Sequence, residues 1–269
     1  QAIEDANLVF WMGEGLTPWM ERALEALNSE TDTVEFLALE ESTRLSFREG
    51  ALFEAHGDHD DHGKDHDDHD DHDDHDDHDD HDDHKDHDDH DDHGHGEYDP
   101  HVWLDPMNAK ALVHEIEEAL VETDPGNAAT YEANAARMMV RLDNLVAEID
   151  AELAPVKDNG FIVFHDAYQH FETRFGLTAI GSITVSPEVL PGADRVSTLQ
   201  TKVRDLRATC VFSEPQFQPK LVATITENTN AGTGVLDPLG AAIDNGPELY
   251  FSLIRNMASA LKDCLSRSG

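Results

Sequence analysis

The residues with the most evident chemistry in this 269-residue chain lie at positions 56–95, here called the His/Asp tract. The tract holds 14 His, 21 Asp, 3 Gly and 2 Lys, mostly as a His-Asp-Asp repeat, and its charge is −19 with His neutral. It contains no apolar side chain whose burial could offset the entropy cost of ordering the backbone. We therefore predict a disordered surface loop.

The composition of the tract predicts metal binding. Neutral imidazole is a good ligand for zinc, copper and nickel, and the aspartates add oxygen donors and an attractive field. Repulsion between like charges extends the chain, and a three-residue repeat then places the imidazoles on one face. We predict an accessory metal loop, with zinc favoured and copper and nickel open. Its candidate ligands are His66, His69, His72, His75, His78, His81, His84, His87, His90 and His93.

Two other interpretations of the tract stay open. A run of aspartates alone is ordinarily a solvating tail, although histidines in register favour metal binding. Histidine titrates near pH 6.5, so full protonation would change the charge of the tract from −19 to −5 and make it a pH sensor. Because protons and metal ions compete for the same nitrogens, the metal and pH interpretations are compatible.

A second group of candidate ligands lies outside the tract, near the predicted ends of strands. His165 follows an apolar run at 161–164 directly, while Glu214 and Asp237 each come just after another short apolar run. In open α/β sheets, ligands bind beyond the carboxyl ends of the strands. His101, in an extended segment before a helix, can add a nitrogen. Taken singly, each residue can instead be a structural histidine, a helix cap or a turn aspartate.

The remaining histidines carry no spacing signal. His114 and His170 lie inside predicted helices without a suitably spaced partner. We expect both to be surface residues.

The elements that must position these side chains follow from apolar periodicity. Thr17 and Pro18 cap and open a first helix, and Asp105 and Pro106 do the same for a later one. Residues 127–153 contain no Pro or Gly and carry apolar residues at helical spacing, which predicts a long strut helix. The predicted strands are 8–12, 34–39, 161–164, 179–185, 210–212 and 234–236. The other predicted helices cover 166–175, 192–206, 218–228 and 247–265.

This alternation of strands and helices predicts an α/β fold with largely parallel sheets. We expect two βαβ lobes with a metal cleft between them. The expected division is an N-terminal lobe at 1–125, a linking helix at 126–155 and a C-terminal lobe at 156–269.

The charge and hydropathy of the chain limit the possible partners. The total charge is −40, of which −21 lies outside the tract, and this argues against nucleic acid or an anionic membrane surface as a partner. A cation is the natural ligand. No window approaches 18 consecutive apolar residues, so no transmembrane helix is predicted. The chain starts at Gln1 with neither a Met nor a signal segment, so we expect it to be mature or truncated.

The two cysteines permit two interpretations. Cys210 begins an apolar run, and Cys264 lies in the C-terminal amphipathic stretch. They can form a disulfide between a strand and a helix, which is expected only in an exported protein, or they can be two buried free thiols.

Several motifs in order resemble one family, the zinc-binding proteins of ABC-type metal importers, which are ZnuA-like members of the cluster A-I solute-binding proteins. They extend over nearly the whole chain. The matching segments are Asn-Leu-Val-Phe-Trp at 7–11, the His/Asp tract, Pro-His-Val-Trp-Leu-Asp-Pro at 100–106, Val-Phe-His-Asp-Ala-Tyr at 163–168, Pro-Glu-Val-Leu-Pro-Gly at 187–192, Thr-Cys-Val-Phe-Ser-Glu-Pro-Gln-Phe at 209–217 and Leu-Asp-Pro-Leu-Gly at 236–240.

The resemblance implies zinc ligation in the cleft by His101 and His165, with Asp237 as a ligand or near neighbour. It also implies a disulfide between Cys210 and Cys264, a monomer in the periplasm, and an ABC-type permease as partner. Members of the family carry a further zinc-binding His upstream of the position that corresponds to Gln1. A truncated N-terminal lobe is therefore expected.

The implied function is capture of zinc and its delivery to the permease, without chemical turnover. Two alternatives stay open. A zinc hydrolase would use two His, one carboxylate and a spare Glu, but the chain lacks the His-Glu-x-x-His spacing of a general base. A metal buffer or an adhesin would use the cleft only secondarily.

Overall fold

A computed structural model describes a unit drawn from residues 1–54 and 94–269. Within that unit, the described residues are 3, 5–25, 31–48, 53, 98–184, 191–205, 210–217 and 220–266. The disordered metal loop predicted for the His/Asp tract lies outside the described residues. In the part of the chain that is described, no helix combines the length and apolarity needed to cross a membrane.

The N-terminal part is a βαβ unit. Strand β1, Leu8–Trp11, pairs in parallel with strand β2, Asp32–Glu35, and helix α1, Pro18–Glu25, connects them. The predicted strand at 34–39 is wrong in its second half, because Phe36–Ala38 form a 3-10 turn. That turn places the ring of Phe36 on the ring of Phe10, with centroids 5.7 Å apart.

Two helices follow at the predicted positions, the first from its capping residues and the second from its apolar spacing. A 3-10 turn at Val102–Leu104 leads into helix α2, Pro106–Thr123, and the side chain of Asp105 caps the helix by accepting from the amide of Met107 at 2.8 Å. Helix α3, Ala128–Leu153, has 26 residues, which corresponds to about 39 Å. Its buried face is formed by Ala135, Leu142, Leu145, Ile149 and Leu153. The predicted strut helix is confirmed.

The C-terminal part is built on a four-stranded parallel sheet in the order β4-β3-β5-β6. The strands are β3, Phe161–His165; β4, Ala179–Thr184; β5, Cys210–Ser213; and β6, Gly232–Val235. The helices are α4, Gln169–Phe175; α5, Ala193–Asp205; α6, Lys220–Thr226; and α7, Leu249–Leu265.

Strand β3 lies inside this sheet and is buried along its whole length. Phe161 and Val163 pack in one apolar cluster, whereas Ile162 and Phe164 pack in another, as expected for a parallel sheet with helices on both faces. The α/β fold of two βαβ lobes joined by a long helix is confirmed.

The two cysteines pair. Cys210 of β5 and Cys264 of α7 form a disulfide with Cα atoms 6.1 Å apart. This confirms the link from strand to helix and fastens the last helix to the sheet.

Candidate metal centre

His165 is the last residue of β3, and its ring is held by a carboxylate from the neighbouring strand. Nδ1 of His165 lies 2.7 Å from Oε1 of Glu214, which directly follows β5. Because β3 and β5 are adjacent and parallel, their carboxyl ends bring the two residues together. Both side chains are buried. Glu214 is therefore placed to orient the imidazole.

His101 lies directly before the 3-10 turn at Val102–Leu104, and a second buried carboxylate holds it. Oδ1 of Asp99 accepts from the amide of His101 at 3.0 Å and lies 2.6 Å from Nδ1 of its ring. Oδ2 of Asp99 is buried and has no hydrogen-bond partner among the residues that the structure describes. Asp99 is a site residue that sequence reasoning missed; its one local signal is its place two residues before His101.

The two rings share one protonation pattern. A carboxylate only accepts hydrogen bonds, so each Nδ1 carries the proton and the lone pair of each imidazole lies on Nε2. This assignment rests on the hydrogen-bond partners of the rings. Carboxylates commonly hold metal-binding histidines in this way.

The distance between the rings suits a shared ion. The centroids of His101 and His165 are 5.4 Å apart. Two imidazoles on one tetrahedral zinc, with Zn–N near 2.05 Å and about 1.15 Å from Nε2 to the centroid, have centroids about 5.2 Å apart. The observed separation of the ring centroids is therefore compatible with one ion bound by both rings.

Asp237 follows β6, as the sequence predicts, but its contacts are those of a turn. Its Oδ1 accepts from the amides of Leu239 at 3.2 Å and Gly240 at 3.0 Å. The described residues contain no group of three or more His, Cys, Asp or Glu side chains arranged to hold a metal. The structure brings His101 and His165 together, and it does not group Asp237 with them.

Tyr168 adds a buried hydroxyl beside the site. Burial raises its pKa well above the ordinary value, and the negative charges of Glu214 and Asp237 raise it further. The hydroxyl makes no hydrogen bond of standard geometry with any described residue. Its ring centroid is 6.3 Å from that of His165, which places Tyr168 against this ligand candidate.

The segment that carries His101 is fastened to the C-terminal elements. Nε1 of Trp103 donates to the carbonyl of Pro238 at 3.0 Å, and the hydroxyl of Tyr250 donates to the carbonyl of Trp103 at 2.9 Å. Arg174 of α4 forms two hydrogen bonds with Asp105, at 2.6 and 2.8 Å. These contacts tie the segment to the turn after Asp237 and to two helices.

The prediction of two surface histidines is wrong for one of them. His114 has 43% of its side chain exposed, but His170 is only 1% exposed. Nε2 of His170 donates to the carbonyl of Asp99 at 3.2 Å, and burial lowers the pKa of its ring. His170 is buried because α4 packs it against the backbone that carries Asp99.

Comparison with known proteins identifies the family of this chain. The family described as "ZnuA: Zinc-uptake complex component A periplasmic" matches residues 1–264. The High-affinity zinc uptake system protein ZnuA of Brucella suis biovar 1 (strain 1330) is 57% identical over 267 residues, covering 99% of this chain and 79% of the relative. The protein of the same name from Paracoccus denitrificans is 43% identical over 266 residues, covering 98% and 78%.

Solved structures share the fold. A crystal structure of ZnuA has a TM-score of 0.70 at 24% identity, covering 98% of this chain and 81% of that chain. A zinc-bound deletion mutant of ZnuA has a TM-score of 0.68 at 25% identity, covering 98% and 80%. From the family match and the identity to these relatives, it follows that the chain belongs to the ZnuA family of periplasmic zinc-uptake components.

Proposed function

We propose that this protein captures zinc in the periplasm and delivers it to an ABC-type membrane permease. One observation carries the proposal. His101 precedes α3 in the sequence and His165 follows it, yet their ring centroids lie 5.4 Å apart, close to the separation of two imidazoles on one zinc ion. Each has its Nδ1 on a buried carboxylate, which leaves Nε2 for the metal. The names of the relatives support zinc as the ion.

The proposed ligands are His101, His165 and Asp237. The histidines would bind through Nε2, and Asp237 would bind through Oδ2 because Oδ1 already accepts two backbone amides. Nitrogen ligands favour zinc over harder, oxygen-preferring ions such as manganese. The proposed division of the chain is an N-terminal lobe at 1–125, a linking helix at 126–155 and a C-terminal lobe at 156–269, and the bounds of α3 support it.

Transport fits the geometry better than hydrolysis does. A zinc hydrolase needs a carboxylate that is free to take a proton from water. Glu214, the candidate general base of such a hydrolase, is 3% exposed and already accepts a hydrogen bond from Nδ1 of His165. We propose that the protein acts as a monomer and turns over no substrate, so no ester or peptide hydrolysis is expected at saturating zinc.

The His/Asp tract would raise the local concentration of zinc. A charge of −19 attracts cations, and many equivalent nitrogens on the same chain would raise the effective concentration of metal available to the cleft ligands. Since a disordered chain loses entropy each time it wraps an ion, each tract site should bind more weakly than the cleft.

The experiment that tests this function is a zinc titration against a strong chelator, so that only the tight site is counted. The wild type should retain one zinc, and His101→Ala should lose it. His114→Ala is the matched control, because it removes an exposed imidazole from the neighbouring helix α2. Retention of the tight zinc by His101→Ala would contradict the cleft assignment.

A further inference from the structure

Residues 43–48, here called the stem, precede the His/Asp tract in the sequence and are paired with the segment that carries His101. The amide and carbonyl of Thr43 both bond to the side chain of Asn108, at 2.8 and 3.1 Å. The carbonyl of Leu45 accepts from the amide of Asp99 at 2.8 Å. The stem is therefore fixed to the residue that orients His101.

Arg48, at the end of the stem, reaches across to the elements that carry His165. Its guanidinium donates to both carboxylate oxygens of Asp166, with Nε at 3.1 and 3.0 Å, and to both oxygens of Glu172, at 2.9 and 3.0 Å. The ring of Phe53 covers the guanidinium, with Cζ 3.7 Å from the ring centroid. One side chain thus engages two carboxylates at once.

The carboxylates that Arg48 holds belong to the region of the metal centre. Asp166 directly follows His165, and Glu172 lies in α4. Glu172 also accepts from the amide of Ala179 at 2.9 Å, which ties it to the first residue of β4. The exposed side-chain fractions are only 18% for Arg48, 11% for Asp166 and 6% for Glu172. Arg48 therefore binds two largely buried carboxylates, and one of them, Asp166, adjoins His165 in the sequence.

We infer that Arg48 is a positioning residue for the zinc centre, which sets the separation of His101 and His165 by fastening the stem to Asp166 and Glu172. The stem fixes His101 through Asp99, which bonds to both Leu45 and His101. Asp166 fixes His165 because the two residues are adjacent in the backbone. This inference rests on the proposed zinc function. It assigns no contact between Arg48 and the metal.

Two other roles of Arg48 predict different results. If Arg48 acted only through its charge, its removal would strengthen zinc binding, because a cation near a dication is repulsive. If Arg48 only stabilised the fold, its removal would leave the carboxylates of Glu172 and Asp166 without their guanidinium partner. Neutralising Glu172, the more buried of the two, together with Arg48 would then restore most of the stability and the binding. Positioning alone predicts weaker binding in a stable protein.

The test uses the full-length chain and three variants. Arg48→Lys keeps the charge and loses the planar fork that binds two carboxylates. The double variant Arg48→Met/Glu172→Gln removes the charges of Arg48 and of Glu172, the more buried of its two carboxylate partners, and keeps the charge of Asp166. Arg255→Lys is the matched control, since Arg255 forms a two-bond pair with Glu148 at 2.8 and 2.7 Å between α7 and α3. Zinc affinity is measured by chelator competition, melting is measured without metal, and the absorption spectrum of Co²⁺ in place of zinc reports the ligand geometry.

We expect Arg48→Lys and the double variant each to bind zinc about 10-fold more weakly or worse, as is usual when residues that orient metal ligands are lost. The double variant should melt close to the wild type, its Co²⁺ spectrum should change, and Arg255→Lys should match the wild type in both metal measurements. Wild-type affinity, or tighter binding, in both Arg48 variants would overturn the inference and leave the zinc function intact. A wild-type protein that holds no zinc against the chelator would overturn the function itself.

Discussion

Removal of the disulfide between Cys210 and Cys264 should destabilise the protein without removing zinc. The two residues are 54 positions apart in the sequence. The chain-entropy relation for a closed loop of this length gives about 4 kcal/mol at 25 °C. For a protein of this size, 1 kcal/mol corresponds to about 2–4 °C in melting temperature. The double variant Cys210→Ala/Cys264→Ala should therefore melt about 8–16 °C lower.

A second measurement separates the cross-link from the packing of the sulfur atoms. Both cysteines are buried, so the alanine variant also loses apolar contacts. Wild-type protein whose disulfide has been reduced keeps both sulfurs and loses only the cross-link. It should melt between the oxidised wild type and the double variant, closer to the variant.

The assay is calorimetric melting of all three forms, with zinc retention measured by chelator competition. Zinc should be retained, because Glu214 is held by the pairing of β5 with β3 and β6 as well as by the cross-link at Cys210. A stability loss below about 1 kcal/mol would refute the loop-closure reasoning. Lost zinc with unchanged melting would instead place the cysteines in metal chemistry.

Three further substitutions or deletions test the metal centre and the tract. Glu214→Gln keeps the size of the side chain but loses the charge that fixes the proton of His165, so zinc should bind about 10–100-fold more weakly in chelator competition; unchanged affinity would show that this contact does not orient the ring. His165→Glu exchanges nitrogen for oxygen and should narrow the preference for zinc over manganese in a competition titration, whereas an unchanged ratio would remove His165 from the ligand set. Deletion of residues 56–95 should keep one tight zinc, abolish several weaker zinc sites and slow the loading of zinc measured by stopped flow, and the slowing should be smaller at high salt. Loss of the tight zinc would place the primary ligands in the tract. Unchanged stoichiometry and loading would reduce the tract to a solvating tail.

Elements with strong local patterns could be predicted from the sequence. The apolar run of β3 and the helical spacing of α3 can both be read from neighbouring residues. The cap of α2 is equally local, because Asp105 bonds to the amide of Met107, two residues later. The place of His165 at a strand end followed from the same local reasoning. The 3-10 turn after β2 was not predicted, and the contact that accompanies it is not local, because the ring of Phe36 stacks on Phe10 of another strand.

The contacts that complete the site join residues far apart in the sequence, so they cannot be predicted from the spacing of motifs. Arg48 meets Asp166 across 118 positions, and His165 meets Glu214 across 49. The burial of His170 likewise depends on a backbone carbonyl 71 positions away. Candidate site residues, Glu214 among them, could therefore be named from the sequence, whereas the contacts by which Glu214 and Asp99 orient the two histidines could not.

The most direct test of the account is X-ray absorption spectroscopy of zinc in protein that lacks residues 56–95 and carries one equivalent of the metal. We predict at least two imidazole ligands with Zn–N distances of about 2.0–2.1 Å, and one imidazole fewer in each of His101→Ala and His165→Ala. A spectrum without imidazole, or one that neither substitution changes, would contradict the assignment of zinc to this pair of histidines.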